Sequence, residues 1–253
     1  MSDARVALVT GGGRGIGAAI AVGLAADGFD VAINYRRDEA AAAETAALVR
    51  ALGRRAEIFA ASVDDYDADV RMVEGVLATF GHVDTLVHSA GIASRGQAVA
   101  DTDPAELERV WRTHAFGAFA VAQLVLPSMR TRPRGDVVFI SSMAAVALAG
   151  WSAPYNMAKA SMEALAHTLA KEERAHGIHV NIVAPGLVDT EMGRRLAKAA
   201  MGAGDDIHSL AERMPFGHVC TPEEVADVVR WVVSDGARYV NDQRIAVDGG
   251  TFR

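Results

Sequence analysis

The chain is poor in cysteine: Cys220 is the only one in 253 residues. An internal disulfide is therefore excluded, and the usage fits a reducing compartment. No activating motif surrounds Cys220, so an inert thiol is expected there rather than a nucleophile. Basic charge is not in excess either. The net charge of -7 argues against nucleic acid as the main partner. The pairs Arg36-Arg37, Arg54-Arg55 and Arg194-Arg195 are small and scattered, and the last two read as solvated faces. No uninterrupted apolar run approaches the ~20 residues of a membrane span. The start Met1-Ser2-Asp3-Ala4-Arg5 lacks the charged, apolar and cleavage regions of a signal peptide. A cytoplasmic protein is expected, without membrane or nucleic-acid partners and without a metal. No linker, repeat or low-complexity block divides the sequence, so a single domain over 1–253 is the economical reading.

Apolar runs recur instead from end to end, at Val6 to Val9, Val31 to Ile33, Ile58 to Ala60, Leu86 to His88, Val137 to Ile140, Val180 to Val183 and Ile245 to Val247. Most are continuous rather than alternating, as in strands of a parallel sheet covered on both faces. Helical stripes lie between them. One comprises Val70, Val73, Leu77 and Phe80; another begins at Leu107, Val110 and Trp111; a third runs through Met157, Ser161, Ala164, Leu165 and Leu169. Repeated βα units predict an α/β fold, a doubly wound seven-stranded parallel sheet with helices on both faces. The stretch Leu187 to His218, with Gly193, Gly202, Gly204 and Gly217, fits the alternation poorly. It follows a strand, where ligands of such sheets bind, so 187–218 reads as a substrate flap or as an ordinary helical insertion.

Two motifs carry chemistry. Val9-Thr10-Gly11-Gly12-Gly13-Arg14-Gly15-Ile16-Gly17 joins the first strand to a helix marked by Ile16, Ile20 and Leu24. Glycines at such a junction let the backbone turn tightly beside a pyrophosphate, and the amides and positive end of the helix face that anion. Further along, Tyr155 and Lys159 stand four apart, on one helical face. A phenol ionises near pH 10 and is a poor base at neutral pH; a nearby cation favours the phenolate. Taken alone the pair could lie on a surface. Ser141-Ser142 ends the strand Val137 to Ile140, however, and Pro154 suits a first helical turn. Ser142 and Tyr155 can thus converge on one carbonyl oxygen.

With these motifs in view the chain resembles a classical short-chain dehydrogenase/reductase, including members that act as 3-oxoacyl-carrier-protein reductases. The likeness runs through Thr10-Gly11-x-x-x-Gly15-x-Gly17, Ala90-Gly91, the trio Ser142, Tyr155 and Lys159, the segment Asn181 to Thr190 with Pro185-Gly186, and Val247-Asp248-Gly249-Gly250. It implies a Rossmann fold, with Tyr155 as general acid/base, Ser142 on the same substrate oxygen, and Lys159 on the nicotinamide ribose, depressing the Tyr155 pKa. It also places Thr10, Gly11, Arg14, Gly15, Ile16, Gly17, Tyr35, Arg36, Ser62, Val63, Ala90, Gly91, Pro185, Gly186, Val188 and Thr190 around the cofactor. Assembly as a homotetramer, or a homodimer, through two long helices and the last strand is implied as well.

The chain also departs from the family. His114 stands where an asparagine positions a relay water; it can keep an altered relay, weaken catalysis, or pack structurally. His88-Ser89 replaces Asn-Asn, Ser62 replaces an adenine-contacting aspartate, and Asn241-Asp242-Gln243 replaces Thr-Gly-Gln. Tyr35 occupies the place of the acid that selects NAD, and Arg36 follows it. Arginine suits a 2′-phosphate by charge and shape, and Arg14 lies within reach of the same group, so NADP(H) is expected over NAD(H). The functions in contention are a ketone reductase or alcohol dehydrogenase acting on a small molecule, a 3-oxoacyl-carrier-protein reductase, a non-catalytic NADP(H) sensor or scaffold, and a structural subunit. Pro133, His176 and Asp136 disfavour docking of an acidic carrier, although Arg130, Arg132 and Arg134 offer substitutes.

Overall fold

All seven apolar runs are strands in the computed structural model, which describes residues 4–201, 203–204 and 206–251. Met1 to Asp3 and Gly202 lie outside the described residues. The strands are β1 (Val6–Thr10), β2 (Asp30–Tyr35), β3 (Ala56–Ala60), β4 (Thr85–His88), β5 (Gly135–Ile140), β6 (Ile178–Pro185) and β7 (Arg244–Val247). They form one parallel sheet in the order β3-β2-β1-β4-β5-β6-β7. Each outruns its apolar core by a residue or more, because ladder bonds continue through polar positions such as Asn34 opposite Phe59. The order reverses direction between β1 and β4. A crevice opens there beyond the carboxyl ends of the strands, the place where such sheets take ligands.

The helices are α1 (Gly15–Ala26), α2 (Glu39–Ala51), α3 (Tyr66–Phe80), α4 (Pro104–Trp111), α5 (Gly117–Met129), the short α6 (Ala144–Ala147), α7 (Ala153–Glu173), α8 (Glu191–Leu196) and α9 (Pro222–Val232). A π-helical turn, Arg112–Phe116, joins α4 to α5. One face of the sheet is covered by α3, α5 and α7 through residues such as Val76, Val121 and Met162. The other is covered by α1, α2 and α9 through Leu24, Val49 and Val229. Burial on both faces explains why the strands read as unbroken apolar runs.

Two expected stripes are rotated. In α7 the buried side is Ala158, Met162, Ala166 and Leu169, while Met157 and Ala164 face outward. The inward row also includes Lys159 and Glu163, and these charged residues disguised the true face in the sequence. In α3 the buried positions are Asp69, Met72, Val73, Val76 and Phe80. The Asp69 carboxyl has no hydrogen-bond partner among the described residues. Burial, then the neighbouring Asp65 and Asp64 charges, push its pKa up to about 7.

The segment 187–218 folds into α8, a π-helical turn (Ala197–Met201) and the 3-10 turns Ile207–Arg213 and Pro215–Gly217. These pack on a small core of their own: Ala197, Ala203, Ile207, Leu210 and Val219. Leu187, Met201 and Met214 pack, partly buried, against that core. Phe216 is 86% exposed.

Candidate active site

The glycine-rich turn is a backbone construction. Gly11 (φ +63) and Gly15 (φ +54) adopt the left-handed conformation. A Cβ on Gly17 would stand 2.2 Å from the Gly11 carbonyl oxygen, and one on Gly11 would stand 2.9 Å from Ala90 Cα. The Thr10 hydroxyl accepts from the Ser89 and Ala90 amides at 3.1 Å each, locking the ends of β1 and β4 together. Asn34 accepts from the Gly11 amide and donates to the Ala61 carbonyl, tying the turn to β2 and to the exit of β3, where Ser62 and Val63 follow.

The start of α1 lacks both a side-chain cap and an acid in its first turn. By contrast α2, α3, α4, α8 and α9 are capped by Asp38, Asp65, Asp103, Thr190 and Thr221. The first amides of α1 therefore present an unsatisfied positive end at the crevice, and the residues there fit a dinucleotide pyrophosphate. Ile16 packs sideways onto the core. Thr190 crosses from the other wall, where a Cβ on Gly15 would meet its methyl at 3.3 Å.

The second strand ends with Tyr35 partly buried and Arg36 exposed. Burial and the carboxylate of Glu39 push the Tyr35 phenol above its ordinary value. An acid thus stands beside Tyr35, four residues further along the chain. Arg14 pairs with Glu191 of α8 at 2.7 Å, tying the glycine turn to the 187–218 segment. Ser62 donates to Asp64 at 2.6 Å, and Val63 is buried, its carbonyl so close to Gly117 that a Cβ there would meet it at 2.5 Å.

The reacting groups meet at the carboxyl end of β5. Tyr155 lies in the first turn of α7, which opens with Pro154, and Lys159 lies one turn later. The Lys159 ammonium donates to the Ile140 carbonyl at 2.7 Å and sits 5.7 Å from the Tyr155 ring centre. The Ser142 hydroxyl accepts from the Ala144 amide and stands near enough to the Tyr155 phenol to favour its ionised form. Burial nevertheless pushes the phenol up to about 12 and pulls the Lys159 ammonium down to about 7, where only the Glu163 charge opposes it. The expectation of a lysine-depressed tyrosine is thus not met in this geometry. Burial dominates both groups, and Lys159 is committed to a carbonyl.

His114 occupies the π-helical turn. Its Nε2 pairs with the Ile92 backbone at 2.8 Å, its ring meets Tyr155 edge-on at 5.2 Å between centres, and a Cβ on Gly91 would stand 2.6 Å from it. Its Nδ1 has no partner among the described residues. Burial, then the Lys159 charge, hold its pKa well below the usual histidine value. The buried ring is thus held neutral, unlike a free imidazole, which titrates near neutrality. His88, on β4, pairs with Thr10 through Nδ1 at 3.2 Å and is lowered to about 3 by burial and then by Lys159. It takes a structural place between β1 and β4.

Across the crevice, the Pro185 carbonyl accepts from the Met143 amide, Gly186 donates to Val247, Val188 bridges to Cys220, and Thr190 caps α8. The Cys220 thiol is pushed up to about 11 by burial, in keeping with an inert group. The structure therefore brings Thr10 to Gly17, Ala90-Gly91, His114, Ser142, Tyr155, Lys159 and Pro185 to Thr190 to one opening. Asn34, Glu39, Glu163 and Arg244 are parts of it that motif reading missed. Of these, Glu163 carried a signal, since it continues the Tyr155, Lys159 spacing by one more turn.

Residues 11–251 match the family described as enoyl-(acyl carrier protein) reductase. The chain is a classical short-chain dehydrogenase/reductase. It is 34% identical to a versicolorin reductase of Emericella nidulans, over 99% of this chain and 97% of that one. It is equally 34% identical to an acetoacetyl-CoA reductase of Allochromatium vinosum, over 98% and 99%. A short-chain dehydrogenase of Burkholderia cenocepacia, solved in complex with NADP, superimposes with a TM-score of 0.87 at 33% identity, covering 97% of each chain. The chain is thus an oxidoreductase of the CH–OH/C=O class with a nicotinamide cofactor.

Proposed function

We propose that this short-chain dehydrogenase/reductase interconverts a small-molecule ketone and its secondary alcohol with NADP(H), using Tyr155 as general acid/base. The observation that carries the reading is the convergence of the Ser142 hydroxyl and the Tyr155 phenol, with Lys159 and His114 packed against the tyrosine. The nicotinamide supplies or accepts the hydride. Ser142 and Tyr155 hold the substrate oxygen, and Tyr155 gives that oxygen a proton in reduction and takes it back in oxidation. Lys159 places a positive charge beside the phenol whenever it is protonated. The backbone of Thr10 to Gly17 and the uncapped start of α1 hold the pyrophosphate. Ala90 and Gly91 wall the crevice floor, and Val188 and Thr190 reach the carboxamide end. Ser62 and Val63 stand on the adenine side.

NADP(H) is favoured by Arg36 and by Arg14, for which a 2′-phosphate competes with Glu191. The solved relative with NADP supports this choice. Glu39 beside Tyr35 works in the other direction. Carrier-protein substrates are disfavoured, because Arg130, Arg132 and Arg134 are held by Glu173, Asp84 and Asp136. We place the enzyme in the cytoplasm as a homo-oligomer, with the exposed Trp111, Phe119 and Met157 on the α4–α5 and α7 faces as the assembly surface; light scattering reads the state directly. The deciding experiment follows NADPH absorbance with a panel of ketones and aldehydes. Turnover of at least one carbonyl, faster with NADPH than with NADH, is the expected result. Tight NADPH binding with no turnover across the panel overturns it in favour of a sensor.

A further inference from the structure

We infer that the Glu163–Arg244 ion pair is a positioning element of this site, bracing the turn that carries Ser142 and setting a carboxylate one helical turn beyond Lys159. Three consecutive residues at the end of β5 are each held by a different ionisable side chain. The Ile140 carbonyl accepts from Lys159 at 2.7 Å. The Ser141 hydroxyl donates to Glu163 at 2.5 Å. The Ser142 carbonyl accepts from Arg244 at 3.1 Å. The last two tethers are one unit, because Arg244 Nε also donates to both Glu163 oxygens, at 3.0 and 3.1 Å. A single guanidinium on β7 therefore links the catalytic turn to α7 at the point where β7 completes the sheet.

Of the strands, β6 alone bonds to the backbone of this turn, and within the turn Ala145 donates to the Ser142 carbonyl. Ser141 and Met143 donate to Val183 and Pro185 of β6, and the Ser142 side chain points back to the Ala144 amide. The position of the Ser142 hydroxyl thus depends on what grips residues 141 and 142 from the other side, and that grip is Glu163 with Arg244. The same carboxylate has an electrostatic task. Tyr155, Lys159 and Glu163 follow one another at single-turn spacing on α7. Lys159 is faced by Tyr155 and Glu163 from its own helix, by His88 from β4 and by His114 from the π-helical turn, and both histidines are neutral by burial. Glu163 is the one charge that opposes the burial of the ammonium. Its own carboxylate is met by Arg244 and Ser141 in a site that is 9% exposed.

The inference deepens the reading of Tyr155, Ser142 and Lys159 given above and rests on it for the purpose of the brace. Its test does not require turnover. The chain has three lysines, Lys159, Lys171 and Lys198. Protein labelled with ¹³C at lysine Cε gives three signals, and that of Lys159 is assigned by its loss in Lys159→Met. In Glu163→Gln, which keeps an acceptor for Ser141, the Lys159 titration midpoint is expected to fall by about one pH unit, a tenfold loss of proton affinity. Lys171 and Lys198 should not move, and Glu163→Asp should restore most of the fall. The double variant Glu163→Gln/Arg244→Gln leaves no lone charge behind, so it guards against misfolding of the single one, and it should show the same fall. An unchanged Lys159 midpoint in a folded variant overturns the electrostatic part. Hydrogen exchange of the amides in 141–147 tests the brace: several-fold faster exchange is expected in Arg244→Gln, with partial recovery in Arg244→Lys. Unchanged exchange overturns it. Should no carbonyl be turned over by the purified protein, the functional reading falls, while both of these readouts still decide the role of the pair.

Discussion

On the nucleotide wall of the crevice, from β1 into α1, contacts are made by backbone. Polar side chains hold the turn at its edges, through Thr10, Asn34, Thr45 and the Arg14–Glu191 pair, and its glycines pack closely against Gly11, Ala90, Ile33 and Ala42. On the other wall, from β5 into α7, contacts are made by ionisable side chains, the buried Lys159, Glu163 and His114 and the half-buried Arg244. Under the proposed function, the first wall binds an anion whose shape does not change and needs a fixed row of amides. The second would hold a proton that moves, and for that it needs groups whose charge responds to one another. Damage to the first wall should therefore appear as lost cofactor affinity, and damage to the second as lost turnover or a changed titration.

The sharpest break of this division is Tyr155→Phe. Removing the phenolic hydroxyl should cut turnover of any active carbonyl by ~10²–10⁴-fold, the usual worth of a positioned acid/base. NADPH affinity, measured by fluorescence titration, should stay within a few-fold of wild type. A large loss of affinity with residual turnover preserved would erase the distinction between the walls. Gly17→Ala is the mirror experiment. Its methyl would overlap the Gly11 carbonyl at 2.2 Å, and no flexible side chain is present to yield. The turn has to shift, so NADPH affinity should fall by roughly 100-fold, about 2.7 kcal/mol. Overpacking should cost a further ~1–3 kcal/mol of stability by denaturant titration.

Tyr35→Asp with Arg36→Ala comes next in size. A charged hydrogen bond to the 2′-phosphate is worth ~1.5–3 kcal/mol, so its loss should move the NADPH/NADH preference by about 10–100-fold toward NADH. Glu39 sharpens the point. If that acid already serves a ribose hydroxyl, Glu39→Gln will weaken NADH use in wild type more than NADPH use. Equal effects on the two cofactors would remove Glu39 from the readout of the ribose.

The two walls also differ in how plainly the sequence shows them. The glycine turn is local: strand, turn and helix are consecutive, and the steric demand at Gly11 and Gly17 leaves its mark as a residue type. The doubly wound parallel sheet follows likewise from alternating βα units and unbroken apolar runs. The reacting wall is assembled from β5, α7, β7 and the π-helical turn, and its chemistry lies in pairings across the fold. Glu163 and Arg244 are 81 positions apart, and neither looks unusual in its own segment. The inward face of α7 was misassigned for the same reason, because charged residues occupy it. Burial also reversed the titration expectation for Tyr155. Spacing places Lys159 beside Tyr155, but only the packing around them shows that desolvation outweighs their attraction.

His114→Asn tests the smallest effect that separates these views. The native ring stays neutral, since burial and Lys159 keep its pKa well below the unfolded value of about 6.5. The folded protein therefore binds fewer protons than the unfolded chain below that pH. The stability contribution is complete above about pH 6.5 and is lost as pH falls through it, by up to ~1.4 kcal/mol per pH unit. Asparagine does not titrate, so the variant should show a flatter acid limb in denaturant-derived stability, most visibly between pH 6 and pH 4, as ordinary histidine and carboxylate titration brackets that window. Asparagine can also meet the Ile92 backbone in place of Nε2, so turnover should change by only a few-fold and the pH–rate profile should keep its shape. A kinetic limb near pH 6.5 in wild type that vanishes in His114→Asn would mean that the histidine takes up protons during catalysis. The imidazole would then be a working member of the reacting wall, where the structure places it as a neutral support for Tyr155.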